Sequence, residues 1–468
     1  MFLLKINCLS FVLLTSLLGL SSCENNFKSN DFTAYFGGEI VNPSERFVLL
    51  LKDETLIDTL FLDKENRFFK KFDSLAPGLY TFKHLPEYQY VYFDKNDSLM
   101  VRVNSDDFDN SVVFCGRGDE KNNYFMEAFL ENEKSKEALY SILDKDINVF
   151  NEHTNSHFKT QKKIYETEKQ EQNWSTGFDS IALAQLQFNY YFKKELYPYA
   201  HQIKTGAEIY KQLPKDFYAY RNDINLNNEN FTSFTPFVKY VSMMLTNRVY
   251  EKQNVNYSEM SLASNIEKLN LTDSFISNRK IKNSVLNQLA SLYLLEDQNM
   301  NNNTLFVKRY LELSTDKVHN KEIQEIANAV QNLIPGKTLS NIDLIDEKGN
   351  TVLINDITKN KKTVFFFWSS MASSHIKAAH NKVMTLQNEY PNIQFIAINI
   401  KDSKENWLKA LSKHNFKGIR ELKSVNFEEI QKNWVLNKVH RVIITNEKGE
   451  ITNGFSNLFD VNFAKNNL

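Results

Sequence analysis

The chain has 468 residues, of which 42% are hydrophobic and 13% aromatic, and its formal net charge at pH 7 is -1. A chain of this length needs more than one core, and this composition excludes an intrinsically disordered protein. The 56 lysines and arginines nearly balance the 57 aspartates and glutamates, and no basic patch carries interleaved aromatic residues, so nucleic acid is not an expected partner.

The N-terminus has the pattern of a secretion signal. One early lysine precedes an apolar stretch, and two serines come directly before Cys23. The apolar stretch is short and begins almost at the first residue, which is typical of a cleaved signal rather than of a membrane-spanning helix. We predict a signal peptide over residues 1–22 and a polar tether over residues 23–31.

The four residues Leu-Ser-Ser-Cys that end at Cys23 resemble the lipobox of bacterial lipoproteins. The resemblance implies cleavage before Cys23 and a diacylglycerol group on its sulfur, and the alternative is an ordinary signal peptide with a chance cysteine. Several acyl chains on one residue hold a protein stably on a membrane. The tether lacks the dense acidic cluster that resembles a surface-export signal. We therefore expect a cell-envelope protein that is anchored to the outer membrane and faces the periplasm.

Cysteine usage limits the redox chemistry of the chain. Besides Cys23, the sequence contains Cys8 in the predicted signal peptide and Cys115. The mature protein would keep one free thiol and could form no internal disulfide. Cys115 follows a strand-like run, so we expect its side chain to be a small buried hydrophobic group, with a regulatory thiol as the alternative.

Residues 32–117 have the pattern of a β-sandwich domain. Short runs of strand-forming residues alternate with Asn-Pro, Ala-Pro-Gly and Lys-Asn-Asp clusters at intervals of about ten residues, which is typical of an antiparallel sandwich. From about Phe32 to Phe125 the order of these runs resembles an uncharacterised domain that precedes thioredoxin-like domains in lipoproteins of Bacteroidota.

Residues 118–332 change to a helical period. Apolar residues recur three and four positions apart, for example from Tyr124 to Phe129 and from Ile181 to Phe192. Asn-rich or Pro-bearing stretches separate these segments. We predict a helical domain of roughly six to eight helices.

Residues 333–468 are predicted to form an α/β domain. A strand pair comes first, followed by the run "KTVFFFW", a helix, the run "IQFIAINI", a second helix and a final hairpin. This order resembles TlpA-like thioredoxin domains. The chain is thus predicted to be a multidomain α+β protein with an N-terminal β-sandwich, a central α-helical domain and a C-terminal thioredoxin-like α/β domain.

The resemblance implies an active site that has lost its chemistry. Alignment of the strand-end Phe-Trp with the family puts Ala372 at the attacking cysteine and His375 at the resolving cysteine, while His440 stands at or beside the cis-proline position. A methyl group offers no thiolate, so thiol–disulfide catalysis by this site is excluded and we predict no catalytic residue. The positions of this degenerate site, which we treat as a candidate binding groove, are Trp368, Ala372, Ser373, Ser374, His375 and His440.

The same residues suggest two other chemistries. Ser373 and Ser374 lie at a predicted helix start, where serine caps the helix, and a hydrolase would need an orienting acid and an oxyanion hole. His375 and His440, with His380 further along the helix, could share a metal ion. Two neutral imidazoles without a carboxylate or thiolate make a weak site. We therefore predict no metal and no cofactor.

The favoured function is a lipid-anchored, redox-inactive protein-binding or peptide-binding module, or a scaffold, in the cell envelope. In the family, the strand-end tryptophan and the loop before the fourth strand flank a trough that holds extended peptides. We therefore expect Trp368 to lie partly exposed beside His375 and to anchor an envelope protein or peptide. The first alternative is an oxidoreductase-family protein that acts in envelope redox homeostasis with a partner's thiols. The second alternative is a histidine-based metal or small-ligand protein.

Overall fold

The structure is a computed structural model. It describes residues 32–468 apart from 86, 254–260, 297–298, 371–372, 415, 417, 437–438 and 461. The predicted signal peptide, the tether and Cys23 therefore lie outside the described residues. Within the described part of the chain, no helix is both long enough and apolar enough to span a bilayer.

The N-terminal region is built from two four-stranded sheets. Its strands are β1 (Ala34–Val41), β2 (Phe47–Lys52), β3 (Thr55–Phe61), β4 (Arg67–Phe72), β5 (Gly78–His84), β6 (Glu87–Phe93), β7 (Ser98–Asn104) and β8 (Val113–Arg117). The orders are β4-β1-β7-β8 in the first sheet and β3-β2-β5-β6 in the second. The chain passes through the second sheet before β7 is added beside β1, so these two strands pair in parallel. The expectation of a purely antiparallel sandwich is wrong at this pair.

Aromatic side chains fill the space between the two sheets. The ring of Phe36 on β1 lies 6.0 Å from that of Phe82 and 5.6 Å from that of Phe93, both in the second sheet. Side chains alternate between the two faces of a strand. On the edge strand β8, Phe114 points into this core and Cys115 is therefore exposed. The prediction of a buried thiol at Cys115 is wrong for this reason.

Helices follow the sandwich. A single turn, α1 (Phe108–Ser111), precedes β8, and the long helices are α2 (Asp119–Ile142), α3 (Ile147–Glu171), α4 (Thr176–Thr205), α5 (Thr235–Gln253), α6 (Leu262–Phe275), α7 (Arg279–Leu294), α8 (Met300–Leu313) and α9 (Lys317–Val330). These eight long helices, counted over the described residues, lie within the predicted range of six to eight. Side-chain oxygens accept bonds from the first backbone N–H groups of most of them, which is why they begin at Asn, Asp or Ser. The capping residues are Asp146, Ser175, Ser261, Asn278, Asn299 and Asp316.

The sandwich and the helices share contacts at the edge strand β6. The Asn122 side chain on α2 accepts a bond from the backbone N–H of Tyr92 (2.7 Å) and donates one to its carbonyl oxygen (3.0 Å). This pairing covers backbone groups that an edge strand would otherwise expose. The Tyr92 ring packs 5.2 Å from Phe178 in the helical core. The two regions are therefore joined by buried contacts.

The C-terminal region is a seven-stranded sheet with helices on both faces. The strands are β9 (Leu344–Ile345), β10 (Thr351–Val352), β11 (Thr363–Trp368), β12 (Gln394–Asn399), β13 (Arg420–Ser424), β14 (Arg441–Thr445) and β15 (Ile451–Asn457) in the order β10-β9-β13-β12-β11-β14-β15. The helices are α10 (Ile354–Thr358), α11 (Ser373–Glu389), α12 (Lys404–His414), α13 (Phe427–Asn433) and α14 (Phe463–Asn467). Strands β11, β12 and β13 are parallel, and β14 is antiparallel to β11.

Candidate functional site

The candidate site lies where the parallel strands end. The carboxyl ends of β11, β12 and β13 meet at one edge of the sheet, which is the edge that binds ligands in open α/β folds. The chain leaves β11 through Ser369 and Ser370 and enters α11 at Ser373. Ala372 lies outside the described residues, and of Ser373 and Ser374 the structure describes the backbone alone.

A buried carboxylate holds the loop that leads to the site. Asp402 accepts bonds from the Ser369 hydroxyl (2.7 Å), the backbone N–H of Ser370 (2.7 Å) and the Asn399 side-chain amide (2.6 Å). Nearby, burial lowers the pKa of Lys423, while the charge of Asp402 opposes that shift. Three bonds to one carboxylate fix the chain between β11 and α11, so Asp402 acts as a positioning residue.

His375 is half-buried at the first turn of α11. Its Nε2 lies 3.1 Å from the Phe367 carbonyl oxygen, which can only accept, so Nε2 carries the proton. Burial lowers the pKa of His375, and the bond to Phe367 opposes the shift only in part. At neutral pH the ring is therefore neutral. The centroids of the His375 and Phe459 rings lie 5.6 Å apart, and the Phe459 side chain is 41% exposed.

His440 is brought to the same place by the end of β15. Its carbonyl oxygen accepts a bond from the backbone N–H of Leu458 (3.0 Å), and the next residue is the Phe459 that contacts His375. The two predicted histidines are thus joined through one short segment. Over the part of the chain that the structure describes, no three His, Cys, Asp or Glu side chains form a group that could hold a metal ion.

Trp368 does not lie at the surface. Its side chain is fully buried, and its Nε1 donates to Glu421 Oε2 at 3.0 Å. The expectation of a partly exposed anchor at Trp368 is wrong. The cause is that β11 is a central strand covered on both faces. Trp368 packs in the core beneath α11, and the alternate residues Phe365 and Phe367 pack in a second core on the other face.

The acceptor of Trp368 also contacts a buried histidine. His380 Nε2 lies 3.0 Å from Glu421 Oε1, and its Nδ1 donates to the Ile376 carbonyl oxygen at 2.7 Å. The His380 ring stacks on Phe416 at 3.7 Å between centroids. Because the Ile376 carbonyl oxygen can only accept, Nδ1 carries a proton, and Nε2 faces the carboxylate. We call Trp368, His380 and Glu421 the buried triad. It joins the end of β11 to α11 and β13 beside the site.

Residues 360–451 match a family of thioredoxin-like proteins. This match agrees with the strand order and with the parallel strands that lead into α11 and α12. The C-terminal domain is thioredoxin-like. The multidomain α+β fold class predicted from the sequence is confirmed.

Solved structures that are similar to part of this chain include thiol–disulfide proteins of Bacteroides. A protein of Bacteroides vulgatus assigned as a thiol-disulfide oxidoreductase is 19% identical, with 29% of this chain and 95% of that chain covered and a TM-score of 0.27. A thiol-disulfide oxidoreductase of Bacteroides fragilis is 20% identical, covering 25% and 88% with a TM-score of 0.23. A thiol:disulfide interchange protein of Bacteroides sp. is 18% identical, covering 26% and 82% with a TM-score of 0.24. No curated protein matches the chain.

The segment before β14 in the thioredoxin-like domain is held by a buried arginine. The Arg441 guanidinium donates to the carbonyl oxygens of Trp434 and Val435, just past the end of α13. Val435 has a φ of 49°, an unusual conformation for a β-branched residue. Burial lowers the pKa of Arg441 to about 9. The partial negative charge at the end of α13 stabilises this cation, and the cation in turn holds the strained turn that precedes His440.

Sequence reasoning missed several residues that shape the site. Asp402, Glu421 and Arg441 lie outside the motif, and their partners are up to 53 positions away in the chain. Phe459 stands in a short polar stretch after β15 and has no periodic pattern. A buried carboxylate on a strand, such as Glu421 in the run "RELKS", is the one signal that could have been noticed.

Proposed function

We propose that the thioredoxin-like domain is a protein-binding or peptide-binding module without thiol–disulfide exchange, and that a lipid on Cys23 anchors the chain in the cell envelope. One observation carries the redox part of this proposal. The sequence has three cysteines, and none of them lies in residues 333–468. Attack on a disulfide requires a thiolate at the first turn of α11, and the family alignment offers Ala372 there.

The surface that remains suits an extended peptide segment of an envelope protein. The exposed ring of Phe459 supplies an apolar contact, and the adjacent His375 is a neutral imidazole whose Nδ1 can accept a hydrogen bond. The bonds of Asp402 and Arg441 hold both flanking segments in place before a partner arrives. Binding to a pre-formed surface costs less conformational entropy than binding to a mobile one.

Phe459 replaces Trp368 as the predicted anchor of this surface. Peptides selected from a random library on the purified protein would be measured by isothermal titration calorimetry. Phe459→Ala is expected to weaken their binding by about 2 kcal/mol or more, as truncation of an aromatic anchor does. Phe275→Ala is the matched control, because Phe275 is 39% exposed in the helical region. Equal affinities for the wild type and Phe459→Ala would show that the peptides bind at another surface.

Lipid attachment at Cys23 is tested separately. Cys23→Ala is expected to move the protein from the membrane fraction to the soluble envelope fraction, because the substitution removes the sulfur that would carry the acyl chains. Metabolic labelling with a fatty acid should mark the wild type alone. Equal labelling of the wild type and the variant would refute lipid attachment at Cys23.

A further inference from the structure

A cleft opens between three helices of the central region, far along the chain from the thioredoxin-like domain. It has about 480 Å³ of empty volume, including its mouth. Helix α2 contributes one wall, α3 the second and α4 the third. The lining includes Glu131 on α2, His157 and Phe158 on α3, and Gln185, Tyr190 and Lys193 on α4.

Gln185 lines this cleft and carries a buried acceptor. The side chain is 5% exposed, and its Nε2 donates to the Phe125 carbonyl oxygen at 3.2 Å. Its Oε1 has no hydrogen-bond partner among the described residues. A buried polar atom without a partner is unusual in a native protein. A ligand that brings an N–H group to Oε1 would satisfy it.

Two charges of opposite sign lie along the same cleft. Lys193 is 7% exposed, and its Nζ donates to the Ser135 hydroxyl at 3.0 Å. Burial lowers the pKa of Lys193 to about 8, and the charge of Glu131 opposes that shift, so the amine is mainly protonated at pH 7. The Glu131 carboxylate lies 3.5 Å from Nε2 of His157. The cleft thus presents one cation and one anion.

Two aromatic side chains, from α3 and α4, form an apolar surface in the cleft. Phe158 and Tyr190 stack with ring centroids 4.3 Å apart, and the Tyr190 hydroxyl donates to the Asn155 side chain at 2.6 Å. The hydroxyl bond and the stack hold the two rings in a fixed orientation. Such a wall suits an aliphatic or aromatic group beside the polar end of a ligand.

We propose that this cleft binds a small zwitterion with an apolar side chain, that is, an aliphatic amino acid. The ammonium group donates to Gln185 Oε1 and to the Glu131 carboxylate. The ligand carboxylate pairs with the Lys193 ammonium, and the side chain packs against Phe158 and Tyr190. Each charge of the ligand meets its opposite, and the unsatisfied Gln185 oxygen gains a donor.

The test uses three compounds of the same shape on the detergent-solubilised full chain. L-leucine carries both charges, 4-methylpentanoate lacks the ammonium, and 3-methylbutylamine lacks the carboxylate. Calorimetry is expected to detect leucine binding that is roughly tenfold or more tighter than that of either analogue. 4-Methylpentanoate would leave the buried Gln185 Oε1 without a donor, and 3-methylbutylamine would leave the buried Lys193 ammonium without an anion. Absence of leucine binding, or equal binding of one analogue, would overturn the assignment.

Substitutions locate the binding. Gln185→Met and Lys193→Met are each expected to weaken leucine binding roughly tenfold or more. Gln170→Met makes the same change at an exposed position of α3 and is expected to leave binding unchanged. Circular dichroism would check that each variant is folded. If Gln185→Met does not fold, Lys193→Met still tests the assignment. Unchanged leucine affinity in a folded Gln185→Met or Lys193→Met protein would place the ligand outside this cleft.

Discussion

Glu421→Ala is expected to lower the free energy of unfolding of the thioredoxin-like domain by about 3–5 kcal/mol, because it leaves two buried hydrogen-bond partners unsatisfied at about 1–3 kcal/mol each. Glu421 accepts from Trp368 Nε1 at 3.0 Å and lies 3.0 Å from His380 Nε2. The side chains of His380 and Glu421 are 0% and 4% exposed. Water cannot replace the lost acceptor there without opening the core, so both nitrogens would be left unsatisfied.

Urea unfolding followed by tryptophan fluorescence measures this loss. Three of the four tryptophans, Trp368, Trp407 and Trp434, are fully buried in this domain, so their emission reports its unfolding. Glu421→Gln keeps one acceptor oxygen and is expected to fall between the wild type and Glu421→Ala. Glu447→Ala, at an exposed turn, is the control. Unfolding of Glu421→Ala at the wild-type urea concentration would contradict the role of the buried triad.

Glu195→Ala is expected to destabilise the helical region by a similar amount, about 3–5 kcal/mol. Glu195 is fully buried and accepts two bonds from Arg221, at 2.8 and 2.6 Å. It accepts further bonds from the Tyr220 hydroxyl (2.7 Å) and the Asn247 amide (2.6 Å). Removal of this carboxylate leaves a buried guanidinium whose remaining carboxylate partner, Glu251, is 2.9 Å away.

A double-mutant cycle separates the ion pair from the packing around it. Urea unfolding followed by far-ultraviolet circular dichroism would be measured for Glu195→Ala, Arg221→Met and the double variant. Because an apolar replacement of both partners avoids the unpaired charge, the double variant is expected to recover part of the loss. A double variant that is as unstable as the sum of the two single variants would show that the pair itself contributes no coupling.

The strand and helix patterns of the sequence predict most of this fold. The run from Thr363 to Trp368 is apolar at every position and is buried on both faces, as expected for a central parallel strand. The helical stripe from Ile181 to Phe192 faces the helical core through α4. Such patterns carry information only about residues that are close to one another in the sequence. The parallel pairing of β1 with β7 joins residues 63 positions apart in the chain and has no local pattern.

The candidate site was less predictable for the same reason. The motif alignment identifies His375 and His440, and the structure connects both to the segment around Phe459. The motif alignment cannot tell that Trp368, the last residue of β11, is covered as well, because its cover depends on α11 and on Glu421, which lies 53 positions away in the chain. The strand-like run before Cys115 predicts a buried side chain, although its position on an edge strand, one residue after the buried Phe114, exposes it.

The central claim, a thioredoxin-like domain that binds without thiol–disulfide exchange, is tested most directly by a disulfide reductase assay. The purified mature protein would be incubated with insulin and a dithiol, with an active thioredoxin as the positive control and Cys115→Ser as the matched variant. We predict a rate equal to that of buffer for both the wild type and the variant, because Ala372 supplies no thiolate and Cys115 lies in the β-sandwich. Turnover above buffer by the wild-type protein would contradict the claim, and its loss in Cys115→Ser would make that exposed thiol the reactive group.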